Sequence, residues 1–443
     1  MSNATDILAF PDGFLWGAAT ASHQVEGGNI NNDWWAWEQQ PGRIADGTRS
    51  GLASNWWQMA ERDLTTAAQL GHNTHRLSLE WSRLEPAPGE WDEAVVARYR
   101  QILTTMRNLG LAPMATLHHF TLPLWLYERG GWENPAVVDW FSHYVERAVA
   151  SFSDLVPIWC TINEPMVQIS YGYISGVWPP GGGGFRAARI VLRHMAQAHA
   201  SAYSIIHQRQ PEAQVGCAQH LHLFDPASPR WPDRLAAKML DRLFNGSALA
   251  AFFDGTLPFP FGWGQKLSDK RLLLDFIGLN YYSRSMTALD LHRKDQMYVR
   301  RFANPDAPFS MEGWGEIYPE GLYRALLRLA NLGLPIYVTE FGVPDNTDAI
   351  RPRFIVEHVA AIERAIRHGA LVRGAYFWSL VDNFEWAAGW SARFGLIHLD
   401  PETQARRING SADIYRRIAV ANGLERSLVN EVAPDLVEPL FGS

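Results

Sequence analysis

Two glutamates each stand at the end of a short apolar segment that predicts a buried β-strand. Glu164 lies in the run TINEP, after the apolar residues 156–160, and Pro165 turns the chain sharply out of the strand. Glu340 follows the apolar residues 335–339 in the same way. The triplet Asn-Glu-Pro is a weak signal by itself. A glutamate in the first turn of a helix is an equally good interpretation of Glu164 alone.

Two carboxylates in one site point to glycoside hydrolysis, in which a separation of about 5 Å gives retention and a wider one gives inversion. The sequence does not give this distance. We expect Glu340 to be the attacking carboxylate, held ionised by Arg76 and by the hydroxyl group of Tyr282. Its charge should raise the pKa of Glu164, which must start protonated. That pKa should fall once a sugar esterifies Glu340, so Glu164 can then act as a base.

Apolar strand-like segments alternate with helix-like segments along the chain, which predicts parallel strands. The strands are expected at residues 14–20, 72–79, 112–118, 156–160, 214–222, 275–282, 335–339 and 371–380. Eight such units favour one (β/α)8 TIM barrel, a single catalytic domain over residues 1–443 with its site at the carboxyl ends of the strands. A doubly wound sheet is the alternative, but its phosphate-binding glycine pattern is missing after the first strand.

Several helices carry recognisable start and stop signals. Asp92 is the expected N-cap of a helix that ends at Gly110, and Asn134 with Pro135 should begin a helix that reaches residue 152. Other helices are expected at residues 55–70, 187–210, 233–253, 320–332 and 349–368, and a final one passes through residues 414–418. In the barrel, Glu164 would end the fourth strand and Glu340 the seventh, facing each other across the mouth.

Composition excludes several classes of partner. The chain has 443 residues, a net charge of -7 and no sustained run of Lys or Arg, so neither nucleic acid nor an anionic membrane is expected to bind. Residues 1–10 lack a signal sequence and no apolar run reaches the length of a membrane span, which favours a cytoplasmic protein. Cys160 and Cys217 are expected to be reduced core residues. A metal is not expected, because His118 and His119 lack a third ligand.

Tryptophan is unusually abundant, with 19 residues in the chain. Flat apolar rings with a polar edge suit the faces of pyranose sugars, although a tryptophan-rich core is the simpler interpretation of composition alone. Gln24, which follows the first predicted strand, offers the donor and acceptor that a sugar diol needs. An amide bonded to the backbone of its own loop is the commoner fate of such a residue.

Eight ordered segments resemble glycoside hydrolase family 1, the β-glucosidase family. They are FLWGAATASHQVEGG, HRLSLEWSR, TLHHFTLPLW, TINEP, FIGLNYYS, GWGEIYPEGL, VTEFG and FWSLVDNFEWAAGWSARFGL, and they span nearly the whole chain. The resemblance implies a retaining double displacement without a cofactor, with Glu164 as acid/base and Glu340 as nucleophile. Its implied substrates carry a terminal β-D-glucosyl group, with β-D-galactosyl or β-D-fucosyl as further options, in cellobiose and in aryl or alkyl β-glycosides.

The resemblance also assigns residues around the sugar. Those that would bind the glycone are Gln24, His119, Asn163, Asn280, Tyr282, Glu385 and Trp386, with Trp378 as the platform beneath the ring. Arg76 and Tyr282 would support the nucleophile. The aglycone side would carry Met166, Trp178, Trp314 and Phe394. The oligomeric state is open.

Three positions depart from the family pattern. Phe120 stands where the family has Trp, which removes an indole donor near the glycone and leaves the choice between gluco and galacto sugars open. Phe341 replaces the Asn that follows the nucleophile, from which we expect altered packing without loss of chemistry. Met166 replaces a Trp after Asn-Glu-Pro, so an aglycone stacking face is missing or comes from elsewhere, with Trp178 as a candidate.

The residues at the predicted site argue against three rival functions. A 6-phospho-β-glycosidase would place phosphate where Glu385 puts a carboxylate, and charge repulsion argues against it. A thioglucosidase of the myrosinase type would lack the acid at Glu164, which is present. A catalytically inactive sugar-binding protein on the same fold would not need both acids and their supports.

Overall fold

A computed structural model describes residues 6–267, 273–311 and 314–442. Its centre is a closed barrel of eight strands, in which each strand pairs in parallel with the next along the chain and the last pairs with the first. The strands are β1 (Leu15–Ala19), β2 (Thr74–Ser78), β3 (Ala112–His118), β4 (Ile158–Asn163), β5 (Gln214–His220), β6 (Phe276–Tyr281), β7 (Ile336–Phe341) and β8 (Val372–Trp378). The predicted (β/α)8 fold is confirmed. Residues 1–5 and Gly313 of the motif GWGEIYPEGL lie outside the described residues.

Helices occupy the connections between the strands. The long ones are Trp56–Gln69, Glu93–Asn108, Val137–Phe152, Gly184–Arg209, Pro319–Ala330, Arg351–Arg367 and Gly410–Ala421. The predicted N-cap at Asp92 is confirmed, because its side chain accepts hydrogen bonds from the backbone of the first helical turn. The start predicted at Asn134 and Pro135 is two residues too early. Asn134 instead closes a tight turn by accepting from the backbone N–H of Ala136 at 2.9 Å, and the helix begins at Val137.

The helix expected over residues 233–253 is interrupted. It runs as Trp231–Asp241, a wider π-helical turn at Arg242–Gly246, and Ser247–Phe253. Asn245 explains the widening, because its side chain exchanges two hydrogen bonds with the backbone of His222 beyond β5. A regular turn would aim the residue differently, and such bulges are frequent near functional sites.

Shorter elements cover the two ends of the barrel. The short helices are Ser22–Val25, Asp33–Glu38, Trp81–Leu84, Leu124–Tyr127, Pro165–Gln168, Arg426–Val432 and Val437–Phe441, and the 3-10 turns are Gly131–Glu133, Lys294–Gln296, Trp386–Ala388 and Pro434–Leu436, with a π turn at Ile169–Ile174. Three small two-stranded sheets pair Ile7–Ala9 with Gly423–Glu425, Ile397–Leu399 with Arg406–Ile408, and Thr256–Leu257 with Gln265–Lys266. In a three-stranded sheet, Arg284–Leu289 is central and pairs with Leu223–Pro226 on one edge and Val299–Phe302 on the other. Within the described residues, each helix is too short or too polar to serve as a membrane span.

The apolar side chains form two main clusters. The larger fills the layer between strands and helices, and the smaller joins inward residues of several strands and continues into aromatic residues at the mouth. Phe341 belongs to the larger cluster, packed against Phe354, Phe377 and Tyr415. It therefore points away from the mouth, on the opposite side of β7 from Glu340. The two cysteines are buried and free, as predicted.

The strands lose regular register at their carboxyl ends. Irregularities fall between Cys160 and Asn163 in β4, between Leu279 and Asn280 in β6, and between Val338 and Phe341 in β7. A bulge bends a strand and re-aims the side chains beside it. These three positions carry or border polar side chains, so the irregular pairing there helps to turn the polar groups into the mouth. A fourth irregularity, between Ile336 and Tyr337, lies at the start of β7.

Candidate active site

Glu164 lies both at a strand end and at a helix start. It follows β4 directly, adopts the left-handed backbone conformation at φ 45° and caps the short helix Pro165–Gln168. A non-glycine residue in this region costs of order 1–3 kcal/mol, and such strain is concentrated at functional sites. Glu164 therefore satisfies both interpretations of the sequence, because it follows the end of a strand and also stands at the start of a helix. Its side chain is buried, with the residue 6% exposed.

One oxygen of the Glu164 carboxyl group lies close to nitrogen atoms of two neighbouring side chains. Its Oε1 accepts a hydrogen bond from Nδ2 of Asn280 at 2.8 Å. Nδ1 of His220 lies 3.2 Å from the same oxygen. Within the described residues, Oε2 has no hydrogen-bond partner in the protein. The second oxygen of Glu164 is thus left to face whatever enters the barrel mouth.

Both oxygens of Glu340 are held. Its Oε1 accepts from the guanidinium of Arg76 at 2.6 Å and its Oε2 accepts from the hydroxyl of Tyr282 at 2.7 Å. Burial raises the pKa of Glu340 to about 7, and the charge of Glu164 adds to the rise, whereas Arg76 and Tyr282 oppose it. The predicted contacts are present. The pKa of Glu340 nevertheless stays above its ordinary value, because the two donors offset only part of the desolvation.

Arg76 also determines how the neighbouring amide is turned. It is buried in β2, and its Nη2 donates to Oδ1 of Asn163 at 2.6 Å while its Nε donates to Thr116 at 3.0 Å. Because a guanidinium can only donate, Asn163 must direct its nitrogen the other way, to Nε2 of His119 at 3.2 Å. Burial, reinforced by Arg76, holds the pKa of His119 well below its usual range, so the ring is neutral and Nδ1 carries its hydrogen. That buried Nδ1 has no partner among the described protein groups.

Asn280 joins the surroundings of the two acids. Its Oδ1 accepts from the hydroxyl of Thr339 at 2.6 Å, which leaves Nδ2 to donate to Glu164 and, at 3.1 Å, to Asn163. Thr339 directly precedes Glu340 in β7. Hence the amide that holds one acid is oriented by the residue beside the other.

A third carboxyl group, that of Glu385, lies near enough to Glu340 for the two to interact electrostatically. Oε2 of Glu385 accepts from Asn383 at 2.7 Å and from Nε2 of Gln24 at 3.1 Å. Burial raises the pKa of Glu385 to about 8, and the charge of Glu340 adds to the rise, whereas the donors oppose it. Oε1 of Gln24 is buried and lacks a hydrogen-bond partner within the described residues. Gln24 therefore offers an acceptor, its donor being already used, where the sequence suggested both.

Aromatic rings close this side of the mouth. His119 stacks on Trp378 at 5.9 Å and on Trp386 at 6.1 Å between ring centroids. Phe120 contacts Trp386 at 5.3 Å and Trp178 at 5.1 Å. Trp178 thus packs with residues predicted for the glycone, although we expected it on the aglycone side. It covers the space beside the phenyl ring that replaces the family's indole.

The other predicted aglycone residues separate into two places. Trp314 lies against Phe394, with ring centroids 5.1 Å apart, and Phe394 approaches Tyr282 at 6.2 Å, so this pair lies next to the support of Glu340. Met166 is 2% exposed and packs into the large core cluster. It leaves little surface for an aglycone.

Several residues of the site were missed from the sequence. His220 ends β5, the strand that supplied no predicted site residue. Thr339 and Thr116 lie inside β7 and β3. A polar residue at the end of an apolar strand was the signal available for His220. For the threonines no such signal exists, because buried hydroxyls bonded within a barrel are common.

The structure separates the two adjacent histidines. His119 enters the site, whereas Nε2 of His118 lies 2.8 Å from Gln168 and receives the indole N–H of Trp132 at 3.3 Å. Within the part of the chain that the structure describes, no group of three His, Cys, Asp or Glu side chains could hold a metal. The chemistry available at the mouth is that of carboxyl groups, amides, imidazoles, a guanidinium, a phenol hydroxyl and indole rings.

Two acids stand at the carboxyl ends of barrel strands among amides and indoles, and they differ in how many of their oxygens the protein contacts. A (β/α)8 glycoside hydrolase uses such a pair. The model of glycosyl hydrolase family 1 matches residues 7–424, so the chain belongs to that family. It is similar to β-glucosidase A of Thermotoga maritima, at 30% identity over 95% of this chain and 100% of the relative. It is also similar to a β-galactosidase of Pyrococcus woesei, at 31% identity over 96% of this chain and 99% of the relative.

A solved structure with the same architecture is the β-glycosidase from Pyrococcus horikoshii. It superposes with a TM-score of 0.89 and 34% sequence identity, covering 96% of this chain and 98% of that one. The similarity therefore extends over both chains nearly in full.

Proposed function

We propose that the chain is a retaining exo-β-glycosidase that releases terminal non-reducing β-D-glucosyl groups from cellobiose and from aryl or alkyl β-glycosides. The observation that carries the proposal is the unequal holding of the two acids. Glu340 accepts hydrogen bonds through both oxygens, from a cation and a hydroxyl. Glu164 accepts one hydrogen bond, from the amide of Asn280, on an oxygen that also lies 3.2 Å from Nδ1 of His220. The first arrangement suits a nucleophile and the second an acid that must exchange a proton.

In the first step, a carboxylate oxygen of Glu340 attacks the anomeric carbon and the bond from that carbon to the glycosidic oxygen breaks. The proton on Glu164 moves to the departing oxygen, so the aglycone leaves as a neutral alcohol and Glu164 becomes a carboxylate. Arg76 and Tyr282 stabilise the ionised form of Glu340 before the attack and orient it. The product of this step is a glycosyl ester of Glu340.

In the second step, Glu164 acts as a base. It removes a proton from a water molecule, whose oxygen attacks the anomeric carbon while the bond to Glu340 breaks. Glu164 is then protonated again and Glu340 is a carboxylate. Two inversions give net retention. Esterification removes one negative charge from the pair, which favours the ionised form of Glu164 when it must be a base.

The glycone would be recognised by groups whose hydrogen-bonding roles are already determined. Nδ1 of His119 is a donor and Oε1 of Gln24 is an acceptor, and both are buried without a protein partner among the described residues. Glu385, whose pKa burial raises to about 8, adds a further carboxyl group to this set. Phe120 adds no donor, so we expect selectivity between gluco and galacto sugars to be modest. Relatives named β-glucosidase and β-galactosidase are consistent with this breadth.

A 6-phospho-β-glycosidase remains the alternative, and the reason against it changes. Since burial raises the pKa of Glu385 to about 8, charge repulsion by that residue is weaker than the sequence suggested. The stronger reason is that the donors to Glu385 among the described residues are neutral: the amides of Asn383 and Gln24 and the indole of Trp378. A phosphate dianion is normally met by Arg or Lys.

The test compares kcat/KM for nitrophenyl β-glucoside, β-galactoside, β-fucoside and 6-phospho-β-glucoside with the purified chain. We expect the glucoside to lead, and the galactoside and fucoside, which share an axial 4-hydroxyl, to follow within about tenfold, since a single hydroxyl contact is worth about 1 kcal/mol. The phosphorylated sugar should come last. Dominant activity on the 6-phospho-glucoside would overturn the substrate assignment. Incubation with a 2-deoxy-2-fluoro-β-glucoside should leave a covalent sugar on the peptide that contains Glu340, and an unmodified peptide with turnover intact would overturn the retaining mechanism.

A further inference from the structure

We propose that His220 positions the acid/base Glu164 by donating from Nδ1 to Oε1, so that the catalytic proton is carried on Oε2. The inference rests on the proposed function and extends it to a residue that the family motifs do not mark. Nδ1 of His220 lies 3.2 Å from Oε1 of Glu164. The same nitrogen is buried and has no hydrogen-bond partner of good geometry among the described residues. A small rotation on substrate binding would align it, as catalytic hydrogen bonds often tighten only in the complex.

The backbone places the two residues side by side. Glu164 donates its backbone N–H to the carbonyl of Ala218 in β5 at 2.8 Å, and His220 stands two residues further on, so both side chains project from neighbouring strand ends. His220 also pairs across β5 and β6 with Asn280, the other donor to Glu164. The acid is therefore contacted by one residue from each of two adjacent strands.

The imidazole ring of His220 is held in a stack. It lies nearly parallel to the rings of Tyr282 and His222, each with ring centroids 6.0 Å apart, and Phe244 meets it edge-on at 5.9 Å. His222 is itself tied by Nε2 to the hydroxyl of Ser285 at 2.7 Å. Because Tyr282 bonds Glu340, one stack of rings connects the supports of both acids. The ring has little freedom to turn its nitrogen away from Glu164.

Two donors on one oxygen decide where the proton resides. Asn280 and His220 both approach Oε1, and an oxygen that already accepts two N–H groups is a poor site for the acidic hydrogen. Protonation is thereby directed to Oε2, the oxygen without a described protein partner. When Glu164 is ionised, the same two donors stabilise its charge. His220 is a positioning residue in both steps, and it neither accepts nor loses the transferred proton itself.

The test uses His220→Phe, which keeps an aromatic ring in the stack, and His220→Asn, whose amide nitrogen can occupy the place of Nδ1. Each is assayed on a glucoside with a poor leaving group, such as cellobiose, and on 2,4-dinitrophenyl glucoside, which needs no acid. We expect His220→Phe to lose roughly tenfold to a hundredfold in kcat/KM on cellobiose, part of the 10²–10⁴ typical of general acid catalysis. It should lose less than about threefold on the dinitrophenyl substrate, and His220→Asn should recover most of the cellobiose activity.

Glu164→Gln is measured alongside as the reference for complete loss of the acid. An equal loss on both substrates in His220→Phe, or no recovery in His220→Asn, would mean that the ring is merely structural and would overturn the inference. If Glu164→Gln itself shows no dependence on the leaving group, the proposed function fails instead. The two failures are therefore distinguishable in one set of assays.

Discussion

The surroundings of Glu340 and Glu164 differ in how many oxygens the protein holds and with what charge. Glu340 has a guanidinium on one oxygen and a phenol hydroxyl on the other. Among the described residues, Glu164 accepts a hydrogen bond on one oxygen, from Asn280, and Nδ1 of His220 lies 3.2 Å from that same oxygen. Two identical side chains can thus take different roles because one is anchored from both sides while the other keeps an oxygen free. Position on the barrel alone would not separate them, since both stand at carboxyl ends of strands.

The largest test of this difference is replacement of each acid by alanine. We expect Glu340→Ala to lower kcat by roughly 10⁴-fold or more on every substrate, because no covalent intermediate can form. Glu164→Ala should lose about 10²–10⁴-fold in kcat/KM only where the leaving group is poor, because kcat/KM reports the first step, in which Glu164 is the acid. Added azide should yield an α-glycosyl azide in Glu340→Ala and a β-glycosyl azide in Glu164→Ala, identified by NMR. The same anomer from both variants would remove the assigned division of roles.

A smaller effect is expected from Arg76→Lys. Lysine retains a charge near Glu340 but lacks the fork that reaches Asn163 and Thr116 at the same time. We expect kcat/KM to fall by about 10²–10³-fold, since the buried carboxylate loses part of its compensation and the amide of Asn163 loses its orientation. Arg98→Lys is the matched control, an arginine paired with Glu61 outside the site. Equal, small losses in both variants would contradict the role of the fork.

Tyr282→Phe removes the hydrogen bond to Oε2 of Glu340 and keeps the one from Arg76 to Oε1. The hydroxyl lowers the pKa of Glu340, so its removal should raise that pKa above its value of about 7. Because the nucleophile must be ionised, the acidic limb of kcat/KM should move to higher pH. At pH 6 we expect a loss of about 10–100-fold, the scale of a hydrogen bond to a charged group. The loss should shrink as pH rises, and an unshifted limb would sink the assignment of the hydroxyl.

Much of the barrel and its two acids was predictable from the sequence, because apolar strands and strand-end residues are local patterns. The contacts of Glu340 with Arg76 and Tyr282 also followed, since a buried charge must find a partner. The helix start at Asn134 and the break near Asn245 did not, because side-chain bonds to distant or adjacent backbone decided them. Local propensity is a weak guide where such bonds compete.

The orientation of the site amides was beyond reach of the sequence. Whether Asn163 turns its oxygen or nitrogen to His119 depends on a guanidinium that arrives from another strand. The placement of Trp178 against Phe120 depended in the same way on how a long connection folds back. Both are properties of tertiary contacts between residues far apart in the chain, and neither leaves a mark on the spacing of residue types.

The smallest effect is expected on the side of Glu164, through Thr339→Val. The hydroxyl of Thr339 bonds Oδ1 of Asn280 at 2.6 Å and so directs Nδ2 to the acid. Valine keeps the shape and leaves the amide free to flip, which would turn an oxygen towards Glu164 and repel its carboxylate. We expect a loss of about threefold to tenfold in kcat, equivalent to roughly 1 kcal/mol for one hydrogen bond, larger for cellobiose than for 2,4-dinitrophenyl glucoside.

Thr339→Ser should restore the activity, since it keeps the hydroxyl. Thr161→Val is the matched control, because that threonine is also buried in a barrel strand but bonds His199 and a backbone carbonyl outside the site. Any stability lost with a buried hydroxyl should appear in the melting temperature of both valine variants, whereas the dependence on the leaving group should appear in Thr339→Val alone. If the control shows that dependence as well, the effect is one of barrel packing, and the single-sided holding of Glu164 does not rely on Thr339.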